Sequence, residues 1–352
     1  MLALSSRIGR ERLQVCATGQ HRDLVDPVLD WFGVRKDEAL ELMTPNQTPA
    51  GFAAVAIRRV AGVLERTKPA VVVVQGATTT VFAAAFAAAM CGVPVAHVEA
   101  GLRTGDRRRP FPEEINRRLT TALAEVHFAP TEIAVDALRR EGVPADRIHL
   151  TGNTVVDALQ LTLSRTPVTL PVTIDAGRRL ILVTAHRRES FGAPLQRICR
   201  AVDRLVDLHP DVDVVWPLHP NPDVAATVRG ALAGVPAVRL LPPLRYEEFV
   251  HLAATAELLL TDSGGIQEKA PALGVPALVL RDVTERPEAV SVGAALVVGT
   301  DIEAIVTAAD RLLRDPAARS KMTGRSNPFG DGRAAQRIAA VLEELLAPTV
   351  SG

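Results

Sequence analysis

Short runs of Val, Leu and Ile recur along the chain and alternate with segments whose apolar residues return every three or four positions. That is the pattern of buried parallel strands joined by helices. In the first half it predicts strands at Leu13 to Ala17, Ala70 to Gln75, Val93 to Val98, His127 to Ala129 and Ile148 to Leu150. Ser164 to Arg178, SRTPVTLPVTIDAGR, carries neither period and reads as a linker. A second series follows, with strands at Leu180 to Thr184, Val212 to Pro217, Val238 to Leu241, Leu258 to Thr261, Ala277 to Leu280 and Ala295 to Val298. The pattern predicts two doubly wound α/β domains, residues 1–165 and 178–330, with a ligand expected in the cleft where the carboxyl ends of both sheets meet. A last helix, Gly332 to Leu346, carries Ala335, Ile338, Val341 and Leu345 at helical spacing, and packing of 331–352 back on the first domain is one option for it.

Composition narrows this picture. The 352 residues are too many for one average core, and 47% apolar content suffices for two. Forty basic and forty acidic residues cancel, and no basic block or aromatic stripe appears, so nucleic acid is not an expected partner. Cys16, Cys91 and Cys199 are widely spaced and odd in number, which indicates neither a disulfide framework nor a metal cluster and fits a reducing cytoplasm. Met1 to Arg12 lacks the apolar core of a signal peptide, and no apolar run reaches the roughly 18 residues of a membrane span. A soluble cytoplasmic protein with no membrane partner is expected.

Charge and glycine at strand ends mark the candidate chemistry. Gly264-Gly265 follows an apolar strand through Asp262 and Ser263 and opens a helical stretch; either its free N–H groups hold a phosphate, or it is a tight strand-to-helix turn. His186, Arg187, Arg188 and Glu189 come directly after ILVTA, where the arginine fork suits diphosphate oxygens and a surface ion-pair cluster is the alternative. Arg286 sits on a proline-shaped loop, as a third basic candidate or a solvated side chain. His219, between prolines in PLHPNP, reads first as a turn residue. Glu99 ends the strand VPVAHVE, and a loop bearing Arg103, Asp106 and Arg107 to Arg109 leads to Glu113 and Glu114. Glu99 and Glu113 can form an acid/base pair, whereas acids just after Pro112 are also ordinary stabilisers of a helix start.

Taken in order, GQHRDLVD, HVEAGLRTGD, FPEEINRRLT, TGNTVVDAL, VTAHRRESFG, LHPNP, TDSGGIQEKAPALGVPALVLRD and TERPEAV resemble the signature of the non-hydrolysing UDP-N-acetylglucosamine 2-epimerases, from about Leu13 to about Thr300. The resemblance implies two Rossmann-like domains in a glycosyltransferase-B-like arrangement, reversible interconversion of UDP-N-acetylglucosamine and UDP-N-acetylmannosamine, no cofactor and no metal, and a homodimer. It implies loss of the C2 proton and of UDP, a 2-acetamidoglucal intermediate, and re-addition of UDP. Glu99 and Glu113 fall on the family's acid/base carboxylates, and His186 on its histidine near the diphosphate. Ser263, Gly264 and Gly265 fall on the phosphate loop, Arg286 on the nucleotide-side arginine and Phe249 near the uracil. Arg103, Arg187, His219 and Lys269 complete the substrate-binding set. Gln20, His21 and Arg22 match the segment that helps hold a second UDP-N-acetylglucosamine as activator in bacterial members.

Three positions depart from that pattern. The family's Gly-Asp-Thr reads Gly76-Ala77-Thr78, so an aspartate counted among its catalytic carboxylates is a methyl group. Lys269 stands where the family has a glutamate that grips the ribose hydroxyls. The family's opening strand and Gly-Thr-Arg-Pro-Glu loop have no counterpart, since Met1 to Arg12 resembles only the end of the following helix; this predicts either an upstream start or a reduced, less stable first domain. Ala77 and Lys269 together leave room for a nucleotide-sugar-binding paralogue without turnover, and the fold itself is shared with hydrolysing relatives and glycosyltransferases.

Overall fold

The structure, a computed structural model, describes residues 1–20, 22–165, 168–175, 177–185, 187, 190–284 and 286–347. The chain divides into two compact units, one of Met1–Asp157 with Phe329–Gly352 and one of Ala158–Pro328.

The first unit holds six strands: β1 (Cys16–Ala17), β2 (Glu38–Ala39), β3 (Val72–Gln75), β4 (Val95–Val98), β5 (Val126–Ala129) and β6 (Ile148–Leu150). They form two parallel sheets, β1-β2 and β3-β4-β5-β6. Central strands β4 and β5 are buried at every position, which is why they read as unbroken apolar runs around His97 and His127. Phe52, Val60, Val74 and Val81 fill one face, and Leu4, Ile8, Phe128, Ile338 and Leu342 form a second cluster that brings in the last helix, Ala334–Leu346. Asp157 accepts from the N–H groups of Ala334 (3.2 Å) and Ala335 (2.8 Å), satisfying two of that helix's open donors. Gly101, at φ +89°, lets the chain after β4 pass the helix Glu132–Arg140; a Cβ there would stand 2.3 Å from Ala134 O.

β1 is shorter than predicted, and β2 has no apolar run by which to predict it. Side chains take the backbone groups that a longer ladder would pair: Arg10 Nη1 donates to Leu13 O, and Asp37 Oδ2 accepts from Val15 N at 2.8 Å. Among the described residues β1 and β3 do not pair, and a cavity of about 800 Å³ is lined by Val15 and Cys16 of the one stretch, Val71 and Val73 of the other, and Ile338 and Leu342.

The second unit is one six-stranded parallel sheet of β7 (Arg179–Thr184), β8 (Val212–Pro217), β9 (Val238–Leu241), β10 (Leu258–Thr261), β11 (Ala277–Val279) and β12 (Ala295–Val297), in the order β12-β11-β10-β7-β8-β9. The order reverses between β7 and β10, the point at which a doubly wound sheet opens a crevice at its strand carboxyl ends. Its core surrounds the fully buried Trp216 with Ile181, Val183, Leu205, Leu258 and Ile305; each such aliphatic side chain contributes about 1.5–3 kcal/mol by leaving water. Among the described residues no helix is long and apolar enough to cross a membrane, and no group of three His, Cys, Asp or Glu is placed to hold a metal ion.

Candidate functional site

In the first unit the candidate groups collect at the carboxyl ends of β3 and β4 and at the start of the helix Glu113–Leu123. Glu99 follows β4 directly and has φ +64°, a left-handed conformation that costs a side-chain-bearing residue on the order of 1–3 kcal/mol and concentrates at functional sites. Glu113 is half-buried, and its Oε2 is buried with no hydrogen-bond partner among the described residues. A buried carboxylate oxygen without a donor is costly unless a ligand supplies one.

Two consecutive carbonyls after β3 are held from different sides. His97 Nε2 donates to Gly76 O at 2.8 Å, and Asn116 Nδ2 to Ala77 O at 3.0 Å. A carbonyl only accepts, so the His97 proton resides on Nε2. Burial holds the ring's pKa down to about 4, against the partial support of that same bond. The backbone at Ala77 is therefore fixed from both β4 and the helix, although the side chain is only a methyl.

Glu114, beside Glu113, is wholly buried. Its Oε2 accepts from Thr104 N (3.1 Å) and Arg117 Nη1 (3.3 Å), and its Oε1 accepts from Gly105 N (3.3 Å) and lies 3.6 Å from Arg118 Nε. Arg103 directs its guanidinium to Glu141 (2.7 and 2.8 Å), Thr121 Oγ1 and Leu102 O, and its bonds to Glu141 pull that carboxyl below its ordinary range. Arg103 thus anchors the loop.

Of the activator candidates, Gln20 Oε1 accepts from Thr80 N (3.0 Å) and Thr80 Oγ1 (2.7 Å), which holds the first turn of the helix Thr79–Met90. Arg22 is exposed and pairs with Glu41 and Asp26. His21 lies outside the described residues, and so does His186.

The second unit builds its candidate site at the β7/β10 reversal. Thr184 and Thr261 end those strands and share a hydrogen bond of 2.7 Å. The next residue, Asp262, is fully buried, and its Oδ2 accepts from Arg187 N (2.8 Å) and Ser190 Oγ (3.0 Å), so one carboxylate sets the loop after β7. Ser263 caps the helix Gly264–Leu273, and its hydroxyl makes no cap bond to that helix, whose first N–H groups present a partial positive charge. Two guanidinium groups converge there: a Cβ built on Gly264 would stand 3.8 Å from Arg286 Cζ and 3.9 Å from Arg187 Nη2. Arg187 Nε is buried without a hydrogen-bond partner among the described residues, whereas Arg286 Nε donates to the buried Glu268 in a close pair. Lys269 Nζ donates to Gly265 O at 3.3 Å, folded onto the first turn of its own helix. Backbone N–H groups and arginine forks gathered in this way suit an anion. Phe249 is half-buried on the helix Tyr246–Thr255. His219 Nδ1 accepts from Asn221 N at 3.1 Å, which gives it a turn role.

Sequence reasoning did not single out His97, Asn116, Asp262 or the loop contacts of Glu114. His97 and Asp262 leave a signal in hindsight, as polar residues inside or at the end of otherwise apolar strands.

The sequence-family model described as UDP-N-acetylglucosamine 2-epimerase matches residues 6–343. The chain belongs to that family. A UDP-N-acetylglucosamine 2-epimerase of Yersinia pestis is 48% identical over 342 residues, covering 94% of this chain and 90% of the relative. The crystal structure of UDP-GlcNAc 2-epimerase from Neisseria meningitidis bound to UDP-GlcNAc is 41% identical at a TM-score of 0.88, covering 94% and 91% of the two chains. The S. aureus MnaA-UDP co-structure is 38% identical, also at 0.88, covering 98% and 93%. At 17% identity and a TM-score of 0.61, a kitacinnamycin glycosyltransferase shares the fold alone, which is a glycosyltransferase-B-like pair of Rossmann-like domains.

Proposed function

We propose that the chain is a non-hydrolysing UDP-N-acetylglucosamine 2-epimerase, an isomerase that inverts C2 of the sugar while UDP stays bound. What carries the reading is the convergence of Arg187 and Arg286 on the head of the helix Gly264–Leu273, a site for the diphosphate. The relatives found with UDP-GlcNAc and with UDP support it. Glu99 and Glu113 supply the acid/base groups. One takes the C2 proton; the C–H electrons form the C1–C2 double bond as the C1–O bond breaks and its electrons leave on the β-phosphate oxygen of UDP. Protonation of C2 from the opposite face and return of UDP to C1 complete the inversion. The arginines and helix dipole stabilise the charge that builds on the leaving diphosphate.

With UDP-N-acetylglucosamine in heavy water, NMR is expected to show deuterium at C2 of both recovered sugars. Free N-acetylmannosamine and UDP as products would instead establish hydrolysis, and no exchange at all would sink the reading. A homodimer in the cytoplasm belongs to the same proposal, and sedimentation analysis of the purified protein tests the stoichiometry.

A further inference from the structure

We infer that Glu114 is the positioning residue of the acid/base pair: it holds the loop that joins Glu99 to Glu113 and so sets Glu113 in its place against Glu99. This rests on the epimerase reading above. Residues 100–112 form the sole covalent path between the two acids, and without a clamp thirteen residues permit many separations. Glu114 clamps that path at its middle by accepting from both Thr104 N and Gly105 N. It does so from the position next to Glu113, on the first turn of the helix. The rest of the loop is knitted to that point: Thr104 Oγ1 donates to Arg109 O at 2.6 Å, and Asp106 Oδ1 accepts from Arg108 N at 2.9 Å.

Glu114 is unsuited to act as an acid or base itself. Both oxygens are occupied, Arg117 and Arg118 balance its charge, and it has no exposure. Glu113 has the complementary properties, with a buried oxygen that no described residue satisfies. The helix's next polar side chain inward, Asn116, holds Ala77 O. One helical turn therefore fixes the strand-end loops after β3 and β4 and carries the candidate acid, Glu113, at its first position.

Glu114→Gln removes the charge opposite Arg117 and turns an NH₂ toward a backbone N–H. The expected result is a fall in kcat of about 10- to 100-fold, with the UDP dissociation constant and the KM for UDP-N-acetylglucosamine within about twofold of the unaltered enzyme. The decisive readout is a double-mutant cycle with Glu113→Gln, scored by deuterium uptake at C2. If Glu114 acts through Glu113, the double variant is no slower than Glu113→Gln alone, because a misplaced acid that has already been removed cannot be lost twice. Multiplying losses, or an unchanged kcat in Glu114→Gln, would overturn the inference. Should Glu114→Gln fail to fold, Glu114→Asp keeps the charge and withdraws it by one methylene, and the same cycle applies to it. An unaltered enzyme that binds UDP but exchanges no deuterium would bring down the epimerase reading and this inference with it; an active enzyme with multiplying losses brings down this inference alone.

Discussion

At the head of its helix Glu113 brings a carboxylate, whereas Ala77 after β3 brings only a methyl group. Glu113→Gln keeps the shape and removes the proposed proton carrier, so kcat is expected to fall by about 100- to 10,000-fold while calorimetry with UDP shows unchanged affinity. Ala77→Asp tests the opposite change. Because Gly76 O and Ala77 O are already bonded to His97 and Asn116, a carboxylate added at Ala77 starts from a fixed backbone, and turnover is expected to rise sharply. Steady-state rates equal to those of the unaltered chain would remove that position from the mechanism. The carboxylates and arginines were legible in the sequence because charge at a strand end stands out against an apolar run. What holds them was not legible, because Asn116 bonded to Ala77 and Glu114 bonded to Thr104 look like ordinary polar positions of an amphipathic helix.

At the scale of elements, a buried carboxylate in each unit fixes a loop, Glu114 through the N–H groups of Thr104 and Gly105 and Asp262 through Arg187 N and Ser190 Oγ. Asp262→Asn retains the shape and loses the charge that orders Arg187 N and Ser190 Oγ. It is expected to weaken UDP binding by about 1–2 kcal/mol, or roughly 5- to 30-fold in the calorimetric dissociation constant, with little change in the affinity of the first unit's groups for one another. An unaltered dissociation constant would show that the loop after β7 holds its place without Asp262. The second unit's strands were legible almost to the residue, since β7, β8, β10 and β11 are buried at nearly every position and read as mostly apolar runs. The edge of the first unit was not, because β1 and β2 are two-residue pieces, and the Arg10 and Asp37 side chains take Leu13 O and Val15 N where a longer strand would carry the pairing on.

For the whole molecule, burial of neutral histidine makes stability depend on pH in a window set by His97. Its folded pKa of about 4 lies below the ordinary 6.5, so between those values the unfolded chain binds the proton that the folded chain refuses. Stability is therefore complete above about pH 6.5 and is lost as pH falls toward 4, by up to about 3 kcal/mol from this group. His127, also lowered by burial, acts in the same direction. Carboxylates lowered by arginine partners, Glu141 by Arg103 and Asp331, held near 2, by Arg337, add their loss only further down, as pH falls from the ordinary carboxylate range through their folded values. Thermal melts from pH 7.5 to 4.5 are expected to show a falling Tm, and His97→Gln, whose amide can still donate to Gly76 O, is expected to flatten most of that fall. The variant starts from a lower Tm at neutral pH, because a shorter, non-aromatic side chain packs less well between β3 and β5, so the slope and not the absolute Tm decides the matter. A slope unchanged in His97→Gln would place the acid sensitivity in His127 and the carboxylates instead.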